Sequence, residues 1–291
     1  MTIKHLVFSG AAYNGVDMIG IITKLVDEKF IIRKDIESLY GVSAGSIVLA
    51  IWLLDIDKET LYDYIIKRPW HKIYNINIEM LFSLMTDKGI LDKKLFIEIF
   101  SPLLKSKGLK SNITLGEFYI FTNKEYNLFI TKVNNLEPVK INHNTHPDLS
   151  LIDAIYMSSS IPLVFKPEFF EGSYIIDGGI GKFFPLKECV NDGANKEEIL
   201  GVKVTRPGVY TLERDVSLVK YIGSILNNMI RIVSNNEELD ITNIIICPIS
   251  TTVEDELELI ITTQEKREEL LKNGEKCAEN FLKCRMEKLG K

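Results

Sequence analysis

The 291-residue chain has only four cysteines and no C-x-x-C pair, so neither a disulfide framework nor a zinc cluster is written into it. Cys189, Cys247, Cys277 and Cys284 read as reduced, unpaired thiols, with Cys277 and Cys284 on one packed helical face. Long apolar runs are missing too. The longest, IVLAIWLL at 47–54, is too short to span a bilayer, and MTIKHLVFSG lacks the apolar core of a secretory signal. These absences predict an intracellular protein, soluble or peripherally attached to a membrane. No Lys/Arg block is present, and 35 basic against 40 acidic residues give a net charge of −5, which argues against a nucleic-acid partner. There is no EF-hand loop, and no histidine follows His146.

What is present is apolar material, 46% of the chain, enough for a substantial core. HLVF at 5–8 reads as a strand, followed by a loop at 9–15 and a helix with Met18, Ile21, Ile22, Leu25 and Val26 on one face. SLYGV and AGSIVLAIWLL repeat the strand-to-helix pattern, and this second helix is apolar all round, hence central. Residues 57–108 read as mostly helical, broken at Pro69 and Pro102, with the apolar 78–90 stretch as a core helix or a lining for an acyl channel. FYIFT and YNLFITKV read as strands of a hairpin-like insertion; HNTHPDLS as a loop with solvated histidines; LIDAIYMSSS as a helix stopped by Pro162. Strands at GSYIID, EEILGVKV and ITNIIICPI and helices at 214–233 and 263–288 complete the pattern. The alternation predicts a three-layer α/β/α fold with a mostly parallel, mixed central sheet, in one domain over 1–291. Nothing in the sequence sets an oligomeric state.

Three stretches carry candidate chemistry. Gly41-Val42-Ser43-Ala44-Gly45 fits G-x-S-x-G, a tight strand-to-helix turn that exposes a serine Oγ beside the positive end of a helix. The same residues also fit an ordinary serine N-cap between turn glycines. Asp177-Gly178-Gly179 closes the strand SYIID. It reads either as a plain turn or as a carboxylate at a strand end that partial burial would make a better base. Phe8 to Gly15, FSGAAYNG, is neither a Walker A loop nor a dinucleotide fingerprint. It is a tight βα loop, or one that presents backbone N–H groups to an oxyanion. The serine–acid–histidine order of α/β-hydrolases is excluded, because His5, His71, His143 and His146 all precede Asp177.

Together the three motifs resemble the patatin-like phospholipases. That family has a G-G-G-x-[RK]-G oxyanion loop, a G-x-S-x-G elbow about thirty residues later, and a later Asp-Gly-[GA] motif. Here they correspond to Gly10-Ala11-Ala12-Tyr13-Asn14-Gly15, to Ser43 and to Asp177-Gly178-Gly179. AIYMSSSIPLVFKPEFFEGSYIIDGG is also similar to the family's segment before the aspartate. The resemblance covers most of 4–190. It implies a Ser43–Asp177 dyad that cleaves lipid esters through an acyl-enzyme, with no metal or other cofactor. It implies an oxyanion hole from the N–H groups around Gly10, Ala11 and Ala12 with that of Ala44, and motif glycines at 15, 41, 45, 178 and 179. The substrate it implies is a lipid at a membrane or micelle surface. The chain departs from the pattern at Ala11 and Ala12, which replace glycines, and at Asn14, which replaces a cation that would steady the loop or attract an anionic head group. A lipid-binding protein without turnover, an acyltransferase and a metabolite-binding α/β protein are the competing readings.

Overall fold

The computed structural model describes residues 2–11, 14–70, 84, 86–205, 212, 214–237, 240–248 and 263–290. In chain order, β1 (His5–Phe8) leads to α1 (Gly15–Asp27), and β2 (Ser38–Val42) leads to α2 (Ala44–Leu53). Then come α3 (Lys58–Lys67), β3 (Gly89–Leu91), α4 (Lys94–Ser106), α5 (Leu115–Thr122), β4 (Glu125–Lys132), β5 (Glu137–Ile141) and α6 (Leu151–Ser158). The chain continues through β6 (Leu163–Phe165), β7 (Phe169–Phe170), β8 (Ser173–Asp177), α7 (Gly178–Gly181) and α8 (Leu186–Asn191). It ends with β9 (Ile199–Thr205), α9 (Leu218–Asn235), β10 (Ile244–Pro248) and α10 (Gln264–Leu289).

The central sheet has the order β10-β9-β1-β2-β4-β8-β7, with β5 on the other edge of β4. β10, β9, β1, β2 and β4 are parallel, while β5 and β8 run antiparallel to β4. Helices cover both faces, so the fold is the mixed three-layer α/β/α arrangement expected. A parallel sheet between two helical layers buries both faces of its strands, and all five residues of β2 are buried. Leu6, Phe8 and Leu39 join the larger core with α1 and α2; Val7, Tyr40 and Val42 join a smaller one with Phe184, Leu186 and Cys189. The strand order reverses at β1, which has β2 on one side and β9 on the other. Open α/β sheets form their binding crevice at such a point, outside the carboxyl ends of the strands.

Several expectations need correction. FYIFT is helical, within α5, because Thr114 and Glu117 close a reciprocal capping box and Asn123 ends the helix in the left-handed region, φ 51°. A cap thus overrides an aromatic-rich, strand-like composition. The hairpin is formed instead by β4 and β5. Pro102 lies inside α4 and does not break it. The N–H that proline lacks would have paired with Glu98, an exposed residue whose carbonyl water can serve, while Phe100, Leu103 and Leu104 anchor the helix in the core. The 78–90 stretch lies outside the described residues except at Leu84 and 86–90; Gly89 opens β3, which pairs with β6. All four cysteines are unpaired, but Cys284 is exposed and does not share a packed face with Cys277. Cys277 instead touches the buried Cys247, Sγ to Sγ 3.7 Å.

Candidate active site

The register of β4 brings Ser43 and Asp177 together although 134 residues separate them. Along one edge of β4, β2 pairs as far as Val42 opposite Phe129. β8 arrives from the other direction on that same edge and ends with Asp177 opposite Ile130, the very next residue. The two strands therefore abut end to end, and the residues at their tips face each other. Ser158 fastens the junction: its Oγ donates to the Phe129 carbonyl at 2.7 Å and accepts the Ser43 N–H at 3.1 Å.

Ser43 holds φ 51° and ψ −123°, a conformation costly for any residue with a Cβ. The turn is tight enough that a Cβ on Gly41 would stand 2.7 Å from the Ser46 Cα, and one on Gly45 2.5 Å from the Ser9 carbonyl oxygen. Only glycine fits at either place, which is the physical content of the G-x-S-x-G spacing. Ser43 occupies the N-cap position of α2, yet its side chain makes no capping bond. Its hydroxyl donates to Asp177 Oδ2 at 2.6 Å. The capping reading of this serine is therefore replaced by a serine–carboxylate pair.

Asp177 caps α7 with its other oxygen, Oδ1 accepting the Gly179 N–H at 2.7 Å. Gly178 runs directly over β4, where an added Cβ would lie 2.1 Å from the Phe129 carbonyl oxygen. Burial pushes the Asp177 carboxyl up to about 6, against the pull of the bonds from Ser43 and Gly179. None of the described histidines touches the pair. His5 Nδ1 lies 2.7 Å from Ser38 Oγ, His143 stacks on Tyr119 at 3.7 Å, and His146 Nε2 lies 3.1 Å from Glu171. The last two are largely covered rather than solvated, with side chains 12% and 15% exposed. His71 lies outside the described residues. Among those residues, no group of three His, Cys, Asp or Glu side chains could hold a metal ion.

The oxyanion loop divides in an unexpected way. The Gly10 N–H is already engaged, donating to the Phe183 carbonyl at 3.1 Å. The N–H groups of Ala11 and Ala44 have no hydrogen-bond partner among the described residues, and Ala44 opens α2 with its N–H toward the elbow. Ala12 and Tyr13 lie outside the described residues. Asn14 is 2% exposed, so its side chain does not meet a head group at the surface. Its Nδ2 has no hydrogen-bond partner among the described residues, and the loop is closed by its backbone N–H on the Ala11 carbonyl at 3.1 Å. Gly15 opens α1 and rests against Ala44.

Two contributors were missed in the sequence. Phe183, in the GKFFP segment, lays its ring against Gly10 and within 3.5 Å of where a Gly179 Cβ would stand. Glu237 accepts the N–H groups of both Phe183 and Phe184, each at 3.0 Å, and burial raises its carboxyl to about 7. A glutamate 53 residues downstream of Phe184, outside any motif, offers no local signal. The buried Lys203 completes this corner, with Nζ on the Ser234 carbonyl at 2.8 Å.

Comparison with known proteins bears on the family and the fold. The family model for patatin-like phospholipase matches residues 6–190. The chain is 26% identical over 185 residues to the probable lipid hydrolase 463L of Invertebrate iridescent virus 6, covering 63% of this chain and 62% of that protein. It is 23% identical over 186 residues to the uncharacterized protein R571 of Acanthamoeba polyphaga mimivirus, covering 63% of this chain and 60% of that protein. Both matches thus span less than two thirds of the relative's length. Among solved structures, VipD from Legionella pneumophila superposes over 98% of this chain and 67% of its own, with a TM-score of 0.53 at 19% identity, a likeness of fold. With its strand order, elbow and Asp-Gly-Gly turn in place, the chain belongs to the patatin-like phospholipase family.

Proposed function

We propose that the chain hydrolyses carboxylic esters of lipids through Ser43 and Asp177. The observation that carries this reading is the 2.6 Å hydrogen bond from the strained elbow serine to a buried carboxylate. Ser43 Oγ attacks the ester carbonyl while its proton passes to Asp177 Oδ2. The tetrahedral oxyanion is held by the N–H groups of Ala44 and Ala11, aided by the positive end of α2. Asp177 returns the proton to the departing alcohol, and an acyl group remains on Ser43. Water, deprotonated by Asp177, attacks that ester, and Asp177 returns the proton to Ser43 Oγ as the fatty acid leaves. A base near neutrality suits this work, and the raised carboxyl of Asp177 supports the role.

The reading needs no histidine and no metal. We also treat the chain as one domain, since β9 and β10 extend the same sheet and α10 packs against α1 and α3. The engaged Gly10 N–H favours one rival, a lipid-binding protein without turnover, because a third donor is tied to Phe183. A fatty-acid release assay over phospholipids, lysophospholipids and acylglycerols separates the two. Release by the wild type that disappears in folded Ser43→Ala supports hydrolysis; lipid binding with no release supports the rival.

A further inference from the structure

α9 half-buries Ile222, Leu226, Met229, Ile230 and Val233, and it carries further apolar side chains on its outer side. Its buried side chains include Ser224, Asn227 and Ser234, while Tyr221, Ile225 and Ile232 are 51%, 42% and 56% exposed. At 3.6 residues per turn those three apolar side chains fall within roughly 40° of one another. They form a stripe along about three turns, so this is not a scatter of single exposed residues. An ordinary amphipathic helix on a globular protein turns such side chains inward. One bond ties the inward polar side to the sheet, Lys203 of β9 reaching in to the Ser234 carbonyl at 2.8 Å, while Asn227 bonds within the helix, to the Gly223 carbonyl at 3.0 Å. The helix is therefore held with its apolar stripe toward the outside.

What covers that stripe is indicated by what lies behind it. α9 packs on α7, the turn that directly follows Asp177. Just beyond its end, Glu237 grips the Phe183–Phe184 backbone, and Phe183 in turn holds Gly10. The stripe is thus the outer surface of a helix that packs on the turn following Asp177. α9 itself carries Lys220 and Arg231 and no carboxylate, so nothing on the helix opposes an anionic surface. A tyrosine beside two isoleucines is the composition that settles at a lipid–water boundary.

We propose that Tyr221, Ile225 and Ile232 of α9 dock the protein onto a lipid bilayer, the membrane that holds the substrate of the Ser43–Asp177 site. This inference rests on the lipid-hydrolase reading of that site. It locates the contact with the bilayer on one helix, outside the reacting groups.

The test is flotation of the full chain with vesicles of phosphatidylcholine and phosphatidylglycerol, alongside hydrolysis of vesicle lipid and of a soluble short-chain ester. The wild type is expected to float. Tyr221→Ser/Ile225→Ser/Ile232→Ser, all at exposed positions, is expected to lose partitioning and vesicle-lipid turnover by about tenfold or more while its rate on the soluble ester stays within about twofold. Ile225→Trp, which adds apolar area to the same stripe, is expected to tighten partitioning and guards against a folding defect in the triple variant. A wild type that does not float, or a triple variant that floats equally well, overturns the proposal. So does a wild-type dimer that the triple variant splits without changing partitioning, since a second copy would then cover the stripe. A wild type that floats but cleaves neither lipid nor soluble ester upholds docking and overturns the hydrolase reading.

Discussion

α2 and α9 are both rich in large apolar residues, α2 opening at Ser43 and α9 packing on the turn after Asp177, yet they are used differently. Nine of the ten residues of α2 are buried, and it is locked to β1 and β2 through the close approaches at Gly41 and Gly45. α9 buries serine and asparagine and leaves Tyr221, Ile225 and Ile232 outside. Apolar spacing states which face leaves water; it does not state what that face will meet. For α2 the partner is the sheet, and the reward is a rigid turn that holds a strained serine. For α9 no partner within the described residues covers the stripe.

The sharpest way to break this comparison is to disturb both helices with single substitutions. Gly45→Val places a Cβ 2.5 Å from the Ser9 carbonyl oxygen, with no flexible side chain to give way. It is expected to destabilise the fold by roughly 3 kcal/mol or more, read as a large fall in Tm or an insoluble product. Ile225→Ser on α9 is expected to move stability by no more than about 0.5 kcal/mol. Equal losses from the two would show that α9 is packed as a core helix after all.

The next effect lies at Asp177. Asp177→Asn is expected to lower kcat by about a hundredfold or more while the chain stays folded. In the wild type the base is ionised only above about 6, so activity is expected to rise with pH through 6 and level off above it. The same shift acts against stability. A carboxyl that titrates at 3.8 in the unfolded chain and about 6 in the folded one favours folding when protonated, and that benefit is lost as pH rises from about 4 through 6. Asparagine has no charge to bury. Asp177→Asn is therefore expected to be more stable than the wild type at pH 7, by about 3 kcal/mol at most, with the difference closing near pH 4. Thermal melts of both chains at the two pH values measure it. A less stable variant at pH 7 would contradict the burial argument.

Glu237 joins the two helices' territories and gives a smaller effect. Glu237→Ala leaves the buried N–H groups of Phe183 and Phe184 without acceptors, an expected cost of about 1–3 kcal/mol, and frees the segment that holds Gly10. Glu237→Gln keeps an acceptor oxygen and is expected to restore most of the stability and kcat. Equal behaviour of the two variants would remove the positioning role. The smallest effects belong to the histidines: alanine at His5, His143 or His146 is expected to change kcat by no more than about threefold, since none contacts the pair. A hundredfold fall at any of them would bring histidine catalysis back.

How much of this was legible in the sequence follows the same division. β1, β2, β8 and the helices behind them were readable because their apolar patterns are strong and a glycine lies at or near one end of each. The three motifs marked the loop, the elbow and Asp177 because backbone crowding there demands glycine. The residues alone offered Asp177 as a base or as a plain turn, and the family resemblance implied its meeting with Ser43; the meeting itself depends on two strands abutting along β4, a register no local pattern encodes. FYIFT misled because composition was weighed above the Thr114–Glu117 capping box. The engaged Gly10 N–H and the grip of Glu237 on Phe183 and Phe184 were invisible for a related reason. Both are long-range bonds made by backbone groups that every residue has. The exposed stripe of α9 shows in the sequence only as helical periodicity, with its direction undefined.

The most direct test of the central claim is covalent labelling with a fluorophosphonate, read by intact mass and peptide mapping across pH 4 to 9. The expected result is a single adduct on Ser43, formed faster as pH rises through about 6, absent in Ser43→Ala and strongly slowed in Asp177→Asn. A folded wild type that takes up no label, or that takes it elsewhere while Ser43 stays unmodified, would contradict the account.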